Sequence, residues 1–147
     1  MQLTLFTDYC IRSLILVSTR SPGQLTTITE IADKYELSRN HVVKVVHRLG
    51  QLGYLHTQRG KNGGVKLARP ANEILMGTLI RDVEPHHSLM NCSAPHCCLS
   101  HQCRMKSILA KAIHLFYNEL DLYTLADIIK EPEEVYEILN IDDEYFS

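Results

Sequence analysis

The chain has 147 residues, among them five cysteines, and a formal net charge of −2. That length can bury a core without covalent staples, four of the cysteines share one short segment rather than spreading as a secreted disulfide framework does, and no apolar run approaches the ~18 residues of a membrane span. The small net charge hides an asymmetry: residues 1–70 carry +6 and residues 71–147 carry −8, so the front half suits a polyanionic partner.

The opening MQLTLFTDYCIRS has no basic lead-in, so a cytoplasmic location with reduced or metal-bound thiols is expected. Residues 7–20 alternate at helical spacing, with Tyr9, Ile11, Leu14, Ile15 and Val17 on a buried face and Thr7 placed to cap. Ser21-Pro22-Gly23 ends that helix. Residues 26–36 follow as a second helix, opened by a capping box between Thr27 and Glu30, with Ile28, Ile31, Ala32 and Tyr35 apolar. After a Glu36-Leu37 turn, Ser38 is a good N-cap for a helix over 39–50. Val42, Val45, Val46 and Leu49 fall on its inner face. Arg39, Asn40, His41, Lys44, His47 and Arg48 fall mostly on the other. Two short helices around a tight turn match a helix-turn-helix, whose second helix offers donors to phosphates and base edges.

Residues 54–58 read as a strand, RGKNGG (59–64) as a basic glycine-rich turn, and 65–69 as the return strand. A helix-turn-helix followed by a cationic hairpin is a winged helix, mainly α with a small β wing. The DNA-facing set is then Thr27, Ser38, Arg39, Asn40, His41, Lys44, His47 and Arg48 on the helices, with Arg59, Lys61, Asn62 and Lys66 on the wing. Residues 73–85 predict a helix stopped by Pro85. A long helix is predicted from about Arg104 to Leu122, with Met105, Ile108, Leu109, Ala112, Leu115, Phe116 and Leu120 as an apolar stripe. A second copy of the chain is the simplest cover for that stripe, giving a two-fold dimer. Thr124 and Asp127 form another capping box. Residues 131–147 hold seven acids and no Lys or Arg, read as a partly disordered acidic tail. The expected organisation is a reading domain over 1–84, a cysteine loop over 85–103, a dimerisation helix and a short helix over 104–130, and the tail.

NCSAPHCCLSHQC, residues 91–103, holds four cysteines and two histidines. Cys92, Cys97 and Cys103 stand four and five residues apart, with Cys98 an alternative middle member. The loop lacks the Cys-x2-Cys pairs of structural zinc sites, although His96 and His101 leave a Cys/His zinc site open. A thiol redox switch is also open. Three thiolates on a loop suit an iron–sulfur cluster that keeps one position for another ligand. Spacing leaves its nuclearity undecided.

LFTDYCIRSLI, SRNHVVKVVHRLGQLGY, RGKNGGVKLARP and Cys92-x4-Cys97-x5-Cys103, in that order, resemble the bacterial winged-helix repressors that carry an iron–sulfur cluster. The likeness covers roughly residues 1–130 and is nearest to the branch sensitive to nitric oxide. It implies a homodimer, a double-stranded operator, nitric oxide as the signal, and a cluster (four-iron favoured, two-iron as the alternative) held by Cys92, Cys97 and Cys103. It also implies a fourth ligand at Asp8 of the other subunit. Asp8 has a plainer role as a carboxylate in a first helical turn. Cys10 and Cys98 depart from the expected pattern. Cys10 is either a substitute ligand or an inert buried thiol. His86, His87, His96 and His101 crowd the site, and a histidine fourth ligand marks the related branch that regulates cluster assembly. An enzyme is not expected, for there is no phosphate-binding glycine loop and no nucleophile–base constellation. A protein-interaction module using the acidic half is the remaining alternative class.

Overall fold

The computed structural model describes residues 2–85, 88–92, 97–99, 101–130 and 132–139. Helix α1 spans Leu5–Ser18, α2 Ile28–Lys34 and α3 Arg39–Gln51. Strands β1 (Leu55–Gln58) and β2 (Gly64–Leu67) form an antiparallel hairpin. A 3-10 turn over Ala71–Glu73 leads to α4 (Met76–Val83), and α5 (Arg104–Leu120), α6 (Leu125–Ile128) and α7 (Pro132–Ile138) follow. The fold is mostly helical with one small sheet, as the sequence predicts.

Local chemistry sets most boundaries. Thr4, not Thr7, caps α1: its hydroxyl accepts the Thr7 N–H, which moves the start of the helix two residues ahead of the sequence reading. The Thr27–Glu30 capping box opens α2 and the Ser38 hydroxyl caps α3. Between them Glu36 sits at φ 53°, a left-handed turn residue that reverses the chain without glycine. The helix expected from residue 73 starts three residues later, after the 3-10 turn. Its end is as read, because Pro85 drives Glu84 to an extended conformation. The Thr124–Asp127 capping box opens α6. Helix α7 begins inside the segment read as a partly disordered tail.

The core joins α1, α2, α3, the sheet and α4 through Leu14, Leu16, Ile31, Val42, Val45, Leu49, Tyr54, Val65 and Leu79, all buried. The buried face of α1 centres on Cys10, Ser13, Leu14, Leu16 and Val17, while Tyr9, Ile11 and Ile15 pack at its margin. The hairpin docks on the helices through Thr26 and Val65, which exchange backbone hydrogen bonds of 2.9 and 2.8 Å. A Cβ on Gly64 would sit 2.8 Å from the Thr26 carbonyl oxygen, so only glycine allows this approach.

Helix α5 joins the core only at its C-terminal end. Tyr117 is its sole buried residue. Asp121 caps the start of α4 by accepting the Thr78 N–H at 2.6 Å and the Thr78 hydroxyl at 3.1 Å, and it pairs with Arg81. Partial burial opposes ionisation of Asp121, yet the bonds from Arg81 and Thr78 outweigh it and hold the carboxyl below its usual range. Gly77 lies against this junction, where a Cβ would fall 2.2 Å from the Tyr117 carbonyl oxygen. Gly77→Ala is therefore expected to cost about 2 kcal/mol by forced separation of α4 and α5, read as a lower urea midpoint with an unchanged slope.

Candidate DNA interface and metal centre

Two sites follow from this frame, a cationic surface and a cysteine loop. On α3, Arg39, Asn40, His41, Lys44, His47 and Arg48 are all exposed. Arg48 is turned aside: its guanidinium donates to the Asp82 carbonyl oxygen at 3.0 Å, tying the end of α3 to α4. Thr27 and Ser38 spend an acceptor on helix capping, which leaves each hydroxyl proton to donate elsewhere. Val43, 41% exposed, shares the outer face of α3. Chemistry alone reads it as a core residue, yet it falls outside the arc of the helix that Val42, Val45, Val46 and Leu49 occupy. An exposed apolar side chain there suits a thymine methyl.

The wing turn exposes Arg59, Lys61 and Asn62, with Lys66 half-buried at its base. Gly60 takes φ 113°, which lets the turn close. Arg69 braces the base of the wing, donating to the Gly53 and Leu52 carbonyls and stacking 4.4 Å from the Tyr54 ring centroid. Tyr54 in turn donates to Asp82 at 2.6 Å. Burial first, then that bond to Asp82, raises the Tyr54 phenol far above its ordinary range. Wing and recognition helix thus share one anchor, Asp82 on α4.

The cysteine loop leaves α4 at Pro85 and re-enters helix at Arg104. Cys92, Cys97 and Cys103 are half-buried, Cys98 is exposed, and none is in a disulfide. The Cys97 N–H meets the Cys92 carbonyl oxygen at 3.4 Å, folding the first two candidate ligands together. A turn closed by Gln102 N–H on Leu99 carbonyl oxygen, 3.0 Å, leads on to Cys103. Cys103 is the N-cap of the seventeen-residue α5 and makes no side-chain cap bond. The positive end of α5 faces it, and Arg104 and Lys106 follow, both exposed. This donor set fits a thiolate-bound iron–sulfur cluster: soft sulfur, three free thiols and a cationic setting for an anionic group. Within one chain, no three His, Cys, Asp or Glu side chains converge as a metal site among the described residues. His86, His87 and His96 lie outside those residues, and His101 is exposed beside Cys103.

Asp8 sits on the surface of α1, where Arg12 donates to its carboxylate at 2.9 Å. Its side chain is 39% exposed. Arg12 lies over the Tyr35 ring, 5.9 Å from the centroid, and Tyr9 meets His41 at 6.0 Å between ring centroids. The first turns of α1 therefore touch both the helix-turn-helix turn and the recognition helix. Cys10 is wholly buried and burial pushes its thiol up to about 12, against a smaller opposing influence from Arg48. Such a thiol is a poor ligand, and Cys10 is a core residue.

One residue that sequence reasoning missed links the two sites. Glu84, buried at the root of the cysteine loop, accepts from the Thr7 hydroxyl at 2.6 Å. It also accepts from the Thr4 N–H and the Thr4 hydroxyl, both at 3.1 Å. A buried carboxylate needs such donors and is favoured at a helix N-terminus. Eighty positions separate Glu84 from Thr4, and no local pattern signals the pair.

A family model described as Rrf2, iron-dependent transcriptional regulator, matches residues 3–131. The chain belongs to the Rrf2 family. It is a DNA-binding transcriptional regulator with a winged helix, a class of regulators rather than enzymes. Among solved structures, it is similar to CymR (YrzC), described as the global cysteine regulator of B. subtilis, at 20% identity over 88% of this chain and 97% of that one, TM-score 0.69. It is also similar to T. potens IscR, at 23% identity over 92% and 90%, TM-score 0.72. The oxidized form of Staphylococcus aureus CymR matches at 23% identity over 87% and 95%, TM-score 0.69. At these identities the likeness shows the fold. Among the described residues no helix is long and apolar enough to cross a membrane.

Lys61→Ala is expected to lower affinity for any duplex and to reduce the slope of log affinity against log salt by about 0.9, the share of one phosphate contact. Fluorescence anisotropy over a salt series measures it, and an unchanged slope would show that the wing tip does not touch DNA.

Proposed function

We propose that the chain is a homodimeric repressor that holds a two-fold duplex operator while an iron–sulfur cluster is bound by Cys92, Cys97 and Cys103, and that nitric oxide is its signal. The observation that carries this reading is the cysteine loop itself: three half-buried free thiols between α4 and the positive end of α5, rooted on Glu84. The family description, an iron-dependent transcriptional regulator, supports the iron chemistry. Within the family, the nitric-oxide-sensitive repressor NsrR is the member that the motifs resemble.

Bound at the three thiols, a cluster of the four-iron type supplies soft iron with an affinity for nitric oxide. The chain's own residues do the rest. Helix α5 leaves Met105, Ile108 and Leu115 at 53, 57 and 67% exposure. Covering what remains exposed of each is worth about 1–2 kcal/mol, which drives two copies together and fixes the spacing of their recognition helices. Asp8 presents a carboxylate on the surface of α1, paired with Arg12, and would be the fourth residue holding the cluster of the other subunit. As a hard oxygen donor it is the weakest member of a set otherwise made of thiolates. Engaged there, Asp8 would leave Arg12, which stacks on Tyr35 beside the turn that orients α3. Glu84 acts from the other side, because a shift of the loop root disturbs the donors at the start of α1. A hundred-fold loss of operator affinity requires only about 2.7 kcal/mol, within reach of moving two heads off their half-site spacing.

A second reading has its own support. Cys98 is exposed and adjacent to Cys97, and relatives of the same fold include a global cysteine regulator and a CymR solved in an oxidized form. A thiol-responsive regulator would use Cys98 and carry no iron. A regulator of cluster assembly, with His96 or His101 in place of Asp8, is separated from the sensor by comparing operator binding with and without the cluster.

Protein prepared without air is expected to contain iron and sulfide, to absorb visible light, to bind its operator, and to lose about a hundred-fold in affinity on addition of nitric oxide. Retained binding after complete nitrosylation would sink the sensor reading. Cys103→Ser is expected to abolish iron content while Cys98→Ser keeps it; the opposite pattern would favour the thiol reading. Asp8→Ala is expected to change the visible spectrum while iron and sulfide content persist, and an unchanged spectrum would remove Asp8 from the ligand set.

A further inference from the structure

At the base of the wing lies a groove of about 490 Å³, room for a small organic molecule. Its walls are the C-terminal end of α1, the turn over 21–24 and residues 66–70, where the chain leaves β2. The paired backbone hydrogen bonds between Thr26 and Val65 hold the end of that turn against β2. The groove therefore bridges a core helix and the wing.

Its charge is of one sign. Arg20, Lys66 and Arg69 line it, and no Asp or Glu among the described residues does. Arg20, with its side chain 11% exposed, gives one nitrogen to Glu30 at 3.1 Å. Arg69 spends two nitrogens on the Gly53 and Leu52 carbonyls, which are uncharged, so its charge is not cancelled. Lys66 is half-buried and joins no ion pair among the described residues. Like charges gathered on one half-buried wall repel, and an anion held there removes that cost. The Gln24 amide adds a polar group, while Val17, Leu67 and Pro70 give apolar wall for a carbon body. We infer that this groove binds a small organic oxyanion, a carboxylate or phosphate on a compact apolar body, and that its occupancy weakens the hold of the wing on DNA. Lys66 is the shared group, since it belongs to the cationic surface of the wing as well as to the groove. Charge given to the ligand is withdrawn from the DNA backbone, and DNA weakens the ligand by the same factor.

This inference rests on DNA binding by the winged helix, not on the cluster. The first test is calorimetric titration of the full-length protein, without DNA, at constant ionic strength in chloride. The probes are inorganic phosphate, glycerol phosphate and succinate. At least one is expected to saturate one site per chain at roughly millimolar concentration, and Lys66→Gln and Ala68→Phe are each expected to weaken it about ten-fold. Ala68 lines the groove, so its substitution adds bulk there without changing a charge. Which probe saturates separates phosphate from carboxylate. No saturable binding by any of the three would overturn the proposal. Undiminished binding by Lys66→Gln, which leaves the packing alone, would overturn it too, since the site would lie elsewhere. The second test measures binding to a duplex lacking the operator, again at constant ionic strength. The saturating probe is expected to lower the affinity of the original chain about five-fold and to reduce its salt slope by about 0.9, one phosphate contact. Ala68→Phe is expected to bind the duplex normally and to ignore the probe. Equal sensitivity of the two chains would overturn the coupling to the wing. Neither test involves nitric oxide, so its outcome is independent of the sensor reading.

Discussion

A single buried carboxylate joins the two ends of this molecule's chemistry. Glu84 stands where the cysteine loop begins and accepts three hydrogen bonds from Thr4 and Thr7 at the start of α1. Leaving such a carboxylate unpaired in the interior costs several kcal/mol, so these bonds oppose any separation of the loop root from α1. Helix α1 runs from that contact along the recognition helix, and its first turns touch the turn between α2 and α3. The loop root and the reading head are thus joined by a continuous chain of contacts through α1.

Helix α4 is the common support. Eight residues long, it receives Arg48 and Tyr54 at Asp82, Asp121 at its first turn, and α1 at its C-cap. Recognition helix, wing and α5 are each tied to it by hydrogen bonds to charged groups, which are stronger than neutral ones. The elements that touch DNA therefore move with the element from which the cysteine loop departs. In the dimer proposed above, burial of the apolar stripe of α5 would join two chains and set how far apart their α3 helices lie.

The choice among cluster, thiol and zinc chemistry turns on the character of the loop. Cys92, Cys97 and Cys103 are half-buried and Cys103 stands at the N-terminus of α5, whereas Cys98 faces solvent. The first arrangement suits a bound anionic group and the second suits a thiol that meets small oxidants. Cys10 contributes to neither, because burial suppresses its ionisation.

Much was legible in one dimension. Capping at Thr27, Ser38 and Thr124, the outward cations of α3, the basic turn of the wing and the cysteine spacing are local patterns. Their physics acts over three to five residues or one turn, so the sequence by itself determined the winged helix, its cationic face and the sulfur-rich loop. The cap at Thr4 in place of Thr7 is a near miss of the same kind, since either threonine fits. The tertiary structure decided what depends on partners far apart in the chain: Glu84 on Thr4 and Thr7, Arg48 turned to Asp82, Gly77 against Tyr117, and Lys34 on Leu139. Those contacts form because packing brings distant polar groups into places where water cannot satisfy them, and no periodicity records which distant group will be the one to arrive.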